Sequence, residues 1–175
     1  MKINMTCLFS LAAAMLLTGC IAVPPLHEAA GRGDTAKVQL LLDQGTDVNA
    51  KSAGNMTALM CAAGQGHTGT VELLLNKGAD VNVTSDFVGW TALLEASYGG
   101  HTECVKVLLA HGANINQRTI PIATLASHNA LEFARENGHP EIVQLIEAAS
   151  RKGTATVEAA EPPLLPKNNT GTEPF

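Results

Sequence analysis

One stretch constrains this chain more than any other: residues 91–116, TALLEASYGGHTECVKVLLAHGANIN, whose pattern recurs along most of its length. Residues 57–82, TALMCAAGQGHTGTVELLLNKGADVN, repeat it 34 residues earlier, with the same Thr-Ala-Leu start, Gly-His pair, Val-x-x-Leu-Leu run and Gly-Ala-Asp/Asn-x-Asn end. Upstream, PLHEAAGRGDTAKVQLLLDQGTDVN places Leu26 33 residues before Leu59 and Gly45 33 before Gly78. Downstream, NALEFARENGHPEIVQLIEAA places Leu131 38 residues after Leu93. A unit this short cannot bury its own apolar face, so a sustained period near 33 predicts stacked helix pairs in a solenoid.

The motifs themselves resemble the ankyrin repeat. Its Thr-Pro-Leu-His-x-Ala opening, Gly-His turn and Gly-Ala-Asp-Val-Asn ending are matched at His27, at residues 57–59, at Gly66-His67 and Gly100-His101, and at residues 78–82. The resemblance covers residues 24–150 and implies an all-α solenoid of about four helix pairs with short β-finger loops, over 25–51, 57–84, 91–118 and 129–151. Thr57 and Thr91 stand where a hydroxyl can cap the first helix. Leu59 and Leu93 should point inward, and Ala62-Ala63 and Ala96-Ser97 should allow close helix approach. The sequence departs from the family where its opening histidine belongs: Met60, Leu94 and Glu132 replace it, so the usual Thr-His bond is expected to be missing. The finger after Asn82 is one residue longer than that after Asn49, and the finger after Asn116 is five longer, with Pro121 inside it. Such insertions fall in surface loops, where extra length costs little.

Residues 1–19 have a different character. Lys2 precedes a short apolar run, residues 8–17, without acidic groups, which reads as an export signal. A spanning helix needs about 20 apolar residues, so the run is too short to serve as a plain anchor. Leu17-Thr18-Gly19-Cys20 resembles the lipobox of bacterial lipoproteins. That resemblance implies acylation of Cys20 and a mature chain starting there, tethered to the membrane without crossing it. Ile21 stands where Asp would favour retention at the inner membrane of enteric bacteria, so the resemblance implies the periplasmic face of the outer membrane. Only residues 20–24 separate lipid from solenoid, a reach of about 20 Å at most. Beyond the repeats, residues 152–175 carry four prolines and no helical periodicity, and read as a disordered tail with a possible docking segment at Pro162, Pro163 and Pro166.

Charge and chemistry narrow the function. With 11 basic against 16 acidic side chains and no basic cluster larger than Arg151-Lys152, a nucleic-acid partner is not expected. His67, His101 and His139 share one repeat position on helices about 8 to 10 Å apart, too far for one metal ion with ligands at about 2 Å. They read as residues of the Gly-His turn that cap the second helix. His101 and Cys104 share a helical face, but Cys104 sits in an apolar row with Val105, Leu108 and Leu109 and has no assignable oxyanion loop. No catalytic residue, metal or cofactor is assigned. An oxidising periplasm would permit a Cys61–Cys104 disulfide, yet placement in adjacent repeats and different helices favours two buried thiols.

What remains is a monomeric, non-enzymatic binding module. In ankyrin arrays the inner groove of finger tips and first helices grips a protein partner; matched positions here are Met56, Gln65, Trp90, Tyr98, Gly31, Arg32, Glu136 and Asn137. Of six aromatics, Phe87, Trp90 and Tyr98 fall within twelve residues, and with Asp86 they form the expected hot spot. Covering the apolar base of the finger is the competing role for Phe87 and Trp90. The partner is expected to be a periplasmic or envelope protein that is regulated or inhibited. A structural part in envelope assembly is the alternative, with an enzyme a more distant one.

Overall fold

The computed structural model describes residues 24–86, 88–120 and 127–158. Cys20 and the residues before it, Phe87, Pro121 and the proline-rich segment lie outside them. Among the described residues there are eight α-helices: α1 (Pro25–Arg32), α2 (Thr35–Asp43), α3 (Ala58–Gly64), α4 (Thr68–Asn76), α5 (Ala92–Gly99), α6 (Thr102–Ala110), α7 (Ala130–Glu136) and α8 (Pro140–Glu158). Each odd-numbered helix packs on the next odd-numbered one and on its own partner, and the even-numbered helices form a second row behind them. Four helix pairs thus stack into an all-α solenoid.

Local chemistry sets the boundaries. The Thr57 hydroxyl accepts from Met60 N–H at 3.3 Å and the Thr91 hydroxyl from Leu94 N–H at 3.3 Å, each satisfying a free amide of the first turn. Asn129 takes that place in the fourth repeat and completes a capping box with Glu132. In the first repeat Pro24 offers no cap, but Pro25 occupies a helix position that lacks an acceptor anyway.

The core runs as one spine between the two rows. Leu26, Leu59 and Leu93 are buried on the inner helices, facing Val38, Val71 and Val105 from the outer ones. Ala29-Ala30, Ala62-Ala63 and Ala96-Ser97 are fully shielded where the inner helices meet. Full burial of each leucine contributes about 1.5 to 3 kcal/mol, and the array holds because every unit covers the face its neighbour leaves open. Met60 and Leu94, which replace the family histidine, are themselves core residues. His27, the one histidine kept at that position, is buried and its Nε2 meets the Met56 carbonyl at 2.9 Å.

The fingers between the helix pairs are turns, with isolated bridges at Lys51–Thr57 and Arg118–Asn129 among the described residues. Asp47, Asp80 and Asn114 each accept from the amide two residues on, which curls the tip. Asn49 and Asn82 then bridge to the next unit, bonding Asp80 N–H and Asn114 N–H at 2.8 Å. The last helix, α8, runs to Glu158, and no proline interrupts the chain after Pro140 until Pro162.

The histidines of the Gly-His pair act differently from expectation. His67 and His101 occupy the cap position of α4 and α6 but make no side-chain cap bond. Instead their rings cross to the preceding repeat: His67 Nε2 meets Gly31 O at 3.1 Å, His101 meets Gly64 O at 3.0 Å and His139 meets Tyr98 O at 3.3 Å. Each satisfies a carbonyl left open at the end of an inner helix. The ring is simply longer than the short side chains that cap well, and it reaches the neighbouring unit more easily than its own backbone.

Candidate functional site

The inner helices and the segments leading into them form one face of the solenoid, and its repeat positions line up in columns. One column holds Glu28, Cys61, Glu95 and Phe133; the next, one helical turn on, holds Gly31, Gly64, Tyr98 and Glu136. The first half of this face is small and polar, while the second carries the rings. Arg32 and Gln65 are exposed at its N-terminal end, with Arg32 held to Glu28 at 2.9 Å. Met56 is half-buried, and its carbonyl is the acceptor for His27.

The aromatic group differs from the one expected. Trp90 is only 6 % exposed, so it is not an exposed anchor but the base on which others rest. It stacks on Phe133 with centroids 5.0 Å apart and meets Tyr98 edge-on at 5.7 Å, while Tyr98 meets Phe133 edge-on at 5.8 Å. His128 stacks on Phe133 at 5.1 Å and pairs with Glu136 at 3.0 Å. Trp90 is buried because its backbone is folded in: Trp90 N–H donates to the Ser85 hydroxyl at 3.0 Å, and its carbonyl accepts from Ser85 N–H at 2.9 Å. Asp86 stays exposed on this same turn, accepting from the Asn55 amide while its own N–H donates to Gly54 O at 3.0 Å. The one-residue extension of this finger therefore ties repeats two and three together.

The described residues that flank the longer insertion are bonded on the other side. Ile120 N–H donates to Val88 O at 2.9 Å, and Thr119 and His128 exchange bonds at 2.8 and 2.9 Å. Phe133 and His128 were not singled out from the sequence, although Phe133 occupies the column of Cys61 and Glu95.

The repeats, their cross-unit histidine bonds and their stacked inner helices decide the family. The model described as ankyrin repeats (three copies) matches residues 26–119 and again 85–156. This chain belongs to the ankyrin repeat family. None of the curated proteins compared with it matches.

Within this ankyrin array, the two cysteine thiols are poorly suited to nucleophilic chemistry. Burial, with a contribution from Glu95, pushes the Cys61 thiol up to about 12, and burial also raises Cys104, whose Sγ lies 3.4 Å from the Thr68 hydroxyl. Thiols so held are poor nucleophiles near neutrality. Cys61 and Cys104 are free. The His101 ring is engaged with Gly64 O, not with Cys104. Among the described residues no three His, Cys, Asp or Glu side chains are grouped to hold a metal ion. Burial alone raises Glu95 to about 7, the one carboxyl on the inner face so affected.

Proposed function

We propose that this chain is a membrane-tethered ankyrin lipoprotein of the bacterial periplasm, anchored through Cys20, that captures and regulates a protein partner on its inner-helix face. Ankyrin repeats are generally interaction modules without catalytic activity, and the fold supplies a surface. The observation that carries the binding reading is the Trp90–Tyr98–Phe133 cluster, where a buried indole supports two half-buried rings on the face the inner helices share. Rigid aromatic surface of this kind contributes contact area at low entropic cost. The tether reading rests on Leu17-Thr18-Gly19-Cys20 after a short apolar run. No described helix is long and apolar enough to cross a membrane.

Both halves are testable together in cells. An alkyne-tagged palmitate should label the wild-type chain and leave Cys20→Ala unlabelled; equal labelling of both would refute the anchor. A photoreactive residue at Tyr98 should crosslink to a single dominant protein, whereas crosslinks only from the outer helices would refute the inner face.

A further inference from the structure

One charged group on the inner face stands apart from the others. Glu95 lies on α5 one turn before Tyr98, and its carboxylate has no hydrogen-bond or ion-pair partner among the described residues. Its acidic neighbours on the inner row are engaged: Glu28 with Arg32 at 2.9 Å, Glu132 with Arg118 at 2.9 Å, and Glu136 with His128 at 3.0 Å. Glu95 leans toward the second repeat, where a Cβ at Gly64 would stand 3.2 Å from its Oε2. At Gly31, one repeat earlier in the same column, a Cβ would meet only Cys61 Cβ, at 3.7 Å. The two glycines therefore let Cys61 and Glu95 pack against the preceding inner helix, which leaves the Glu95 side chain half-buried with Tyr98 next in the column.

A carboxylate taken partly out of water without a partner is unfavourable, and a cation arriving from outside relieves that cost. Burial already holds this group up at about 7, and the Cys61 thiol beside it stays neutral. An acidic or wholly apolar ligand would leave it stranded. Long basic side chains suit the site, because their methylene stem can lie on an aromatic ring while the head reaches an acceptor. The chain's net charge of −5 favours approach of a basic segment as well. Resting on the binding-module reading above, we propose that Glu95 is the specificity-determining acceptor for a lysine or arginine side chain of the protein partner, whose stem lies against Tyr98.

Peptides selected from a random display library on the immobilised full chain test this. Selected peptides should share a Lys or Arg whose replacement by norleucine weakens binding roughly thirtyfold, and that loss should disappear against Glu95→Gln. In the unmutated chain, carbon-13 NMR should show the Glu95 carboxyl losing its proton at lower pH once such a peptide is bound. Peptides that lose binding to Tyr98→Ala but carry no basic residue, or whose basic residue matters equally against Glu95→Gln, overturn the role of Glu95 while leaving the inner face as the binding surface. An unchanged Glu95 titration overturns it too. Peptides indifferent to both substitutions, or no binding peptide at all, overturn the inner-face reading with it.

Discussion

The imidazole of His101 spans a repeat boundary to reach the Gly64 carbonyl, Nε2 to oxygen 3.0 Å, and it can do so only because Gly66 has no side chain. A Cβ at Gly66 would stand 2.5 Å from His101 Nδ1, and φ there is +75°. Gly66→Ala is therefore expected to lose stability twice, through left-handed backbone strain and through the displaced ring, by about 2 to 4 kcal/mol in urea unfolding. Gly78→Ala supplies the control. Its φ is +88° but nothing lies within 4 Å of the added carbon, so only the strain of about 1 to 2 kcal/mol should appear.

Leucines separate by row. Leu93 is 1 % exposed between α5 and its neighbours, whereas Leu40 on the first outer helix is 56 % exposed. Leu93→Ala should cost about 2 to 5 kcal/mol through lost transfer energy and the cavity left behind. Leu40→Ala should stay within about 0.5 kcal/mol of the parent. Equal losses at both sites would show that the outer row is covered by something else in solution.

Much of this was legible in the sequence because each repeat restates it. Gly-His at 34- and 38-residue spacings located the turns, and the Thr-Ala-Leu starts located the caps that Thr57 and Thr91 provide. Contacts that cross between units were less legible. Nothing local in Gly66-His67 says that the ring serves Gly31 in place of its own helix, since that depends on how far apart the helices stack. Trp90 precedes the cap residue, a place that suits either an exposed anchor or a cover for the finger base; its burial comes from the Ser85 turn together with Phe133, which lies beyond an insertion that breaks the period. Glu95 gave no signal, because an unpaired carboxyl becomes unusual only once its neighbours Cys61 and Gly64 are in place.

The same Glu95 should make stability depend on pH. Its carboxyl titrates near 7 when folded and near 4.5 when not, so between those values the folded chain holds the extra proton and stability falls as pH rises. The loss is nearly complete by pH 8 and amounts to about 3 kcal/mol. Glu95→Gln should flatten this slope and be the more stable chain at pH 8. Urea midpoints at pH 5 and pH 8 measure it, and identical slopes in both chains would count against a buried, unpaired carboxyl.

Ser97 offers a substitution that should help. Its hydroxyl is fully buried without a hydrogen-bond partner, at a position where the second repeat has Ala63. Replacing it with alanine removes a desolvated polar group and leaves little space, so Ser97→Ala should raise stability by up to about 1 kcal/mol. A loss instead would indicate that the hydroxyl finds a partner in solution.

Trp90 is the only tryptophan in the chain, so its fluorescence reports directly on the aromatic cluster. Phe133 stacks on it at 5.0 Å and stacks on His128 at 5.1 Å. Phe133→Ala should open the indole to water, shift its emission to longer wavelength and cost about 2 to 4 kcal/mol, at the lower end of buried phenylalanine losses because Phe133 is only half-buried. Tyr98→Ala touches the indole only edge-on, at 5.7 Å. It should move the emission less while removing more of the surface offered to a partner. The two variants thus separate support from contact: partner binding lost in both, but with the emission maximum preserved only in Tyr98→Ala, would place Tyr98 at the interface and Phe133 beneath it. An unshifted emission in Phe133→Ala would mean that the indole is shielded by the insertion and not by the fourth repeat.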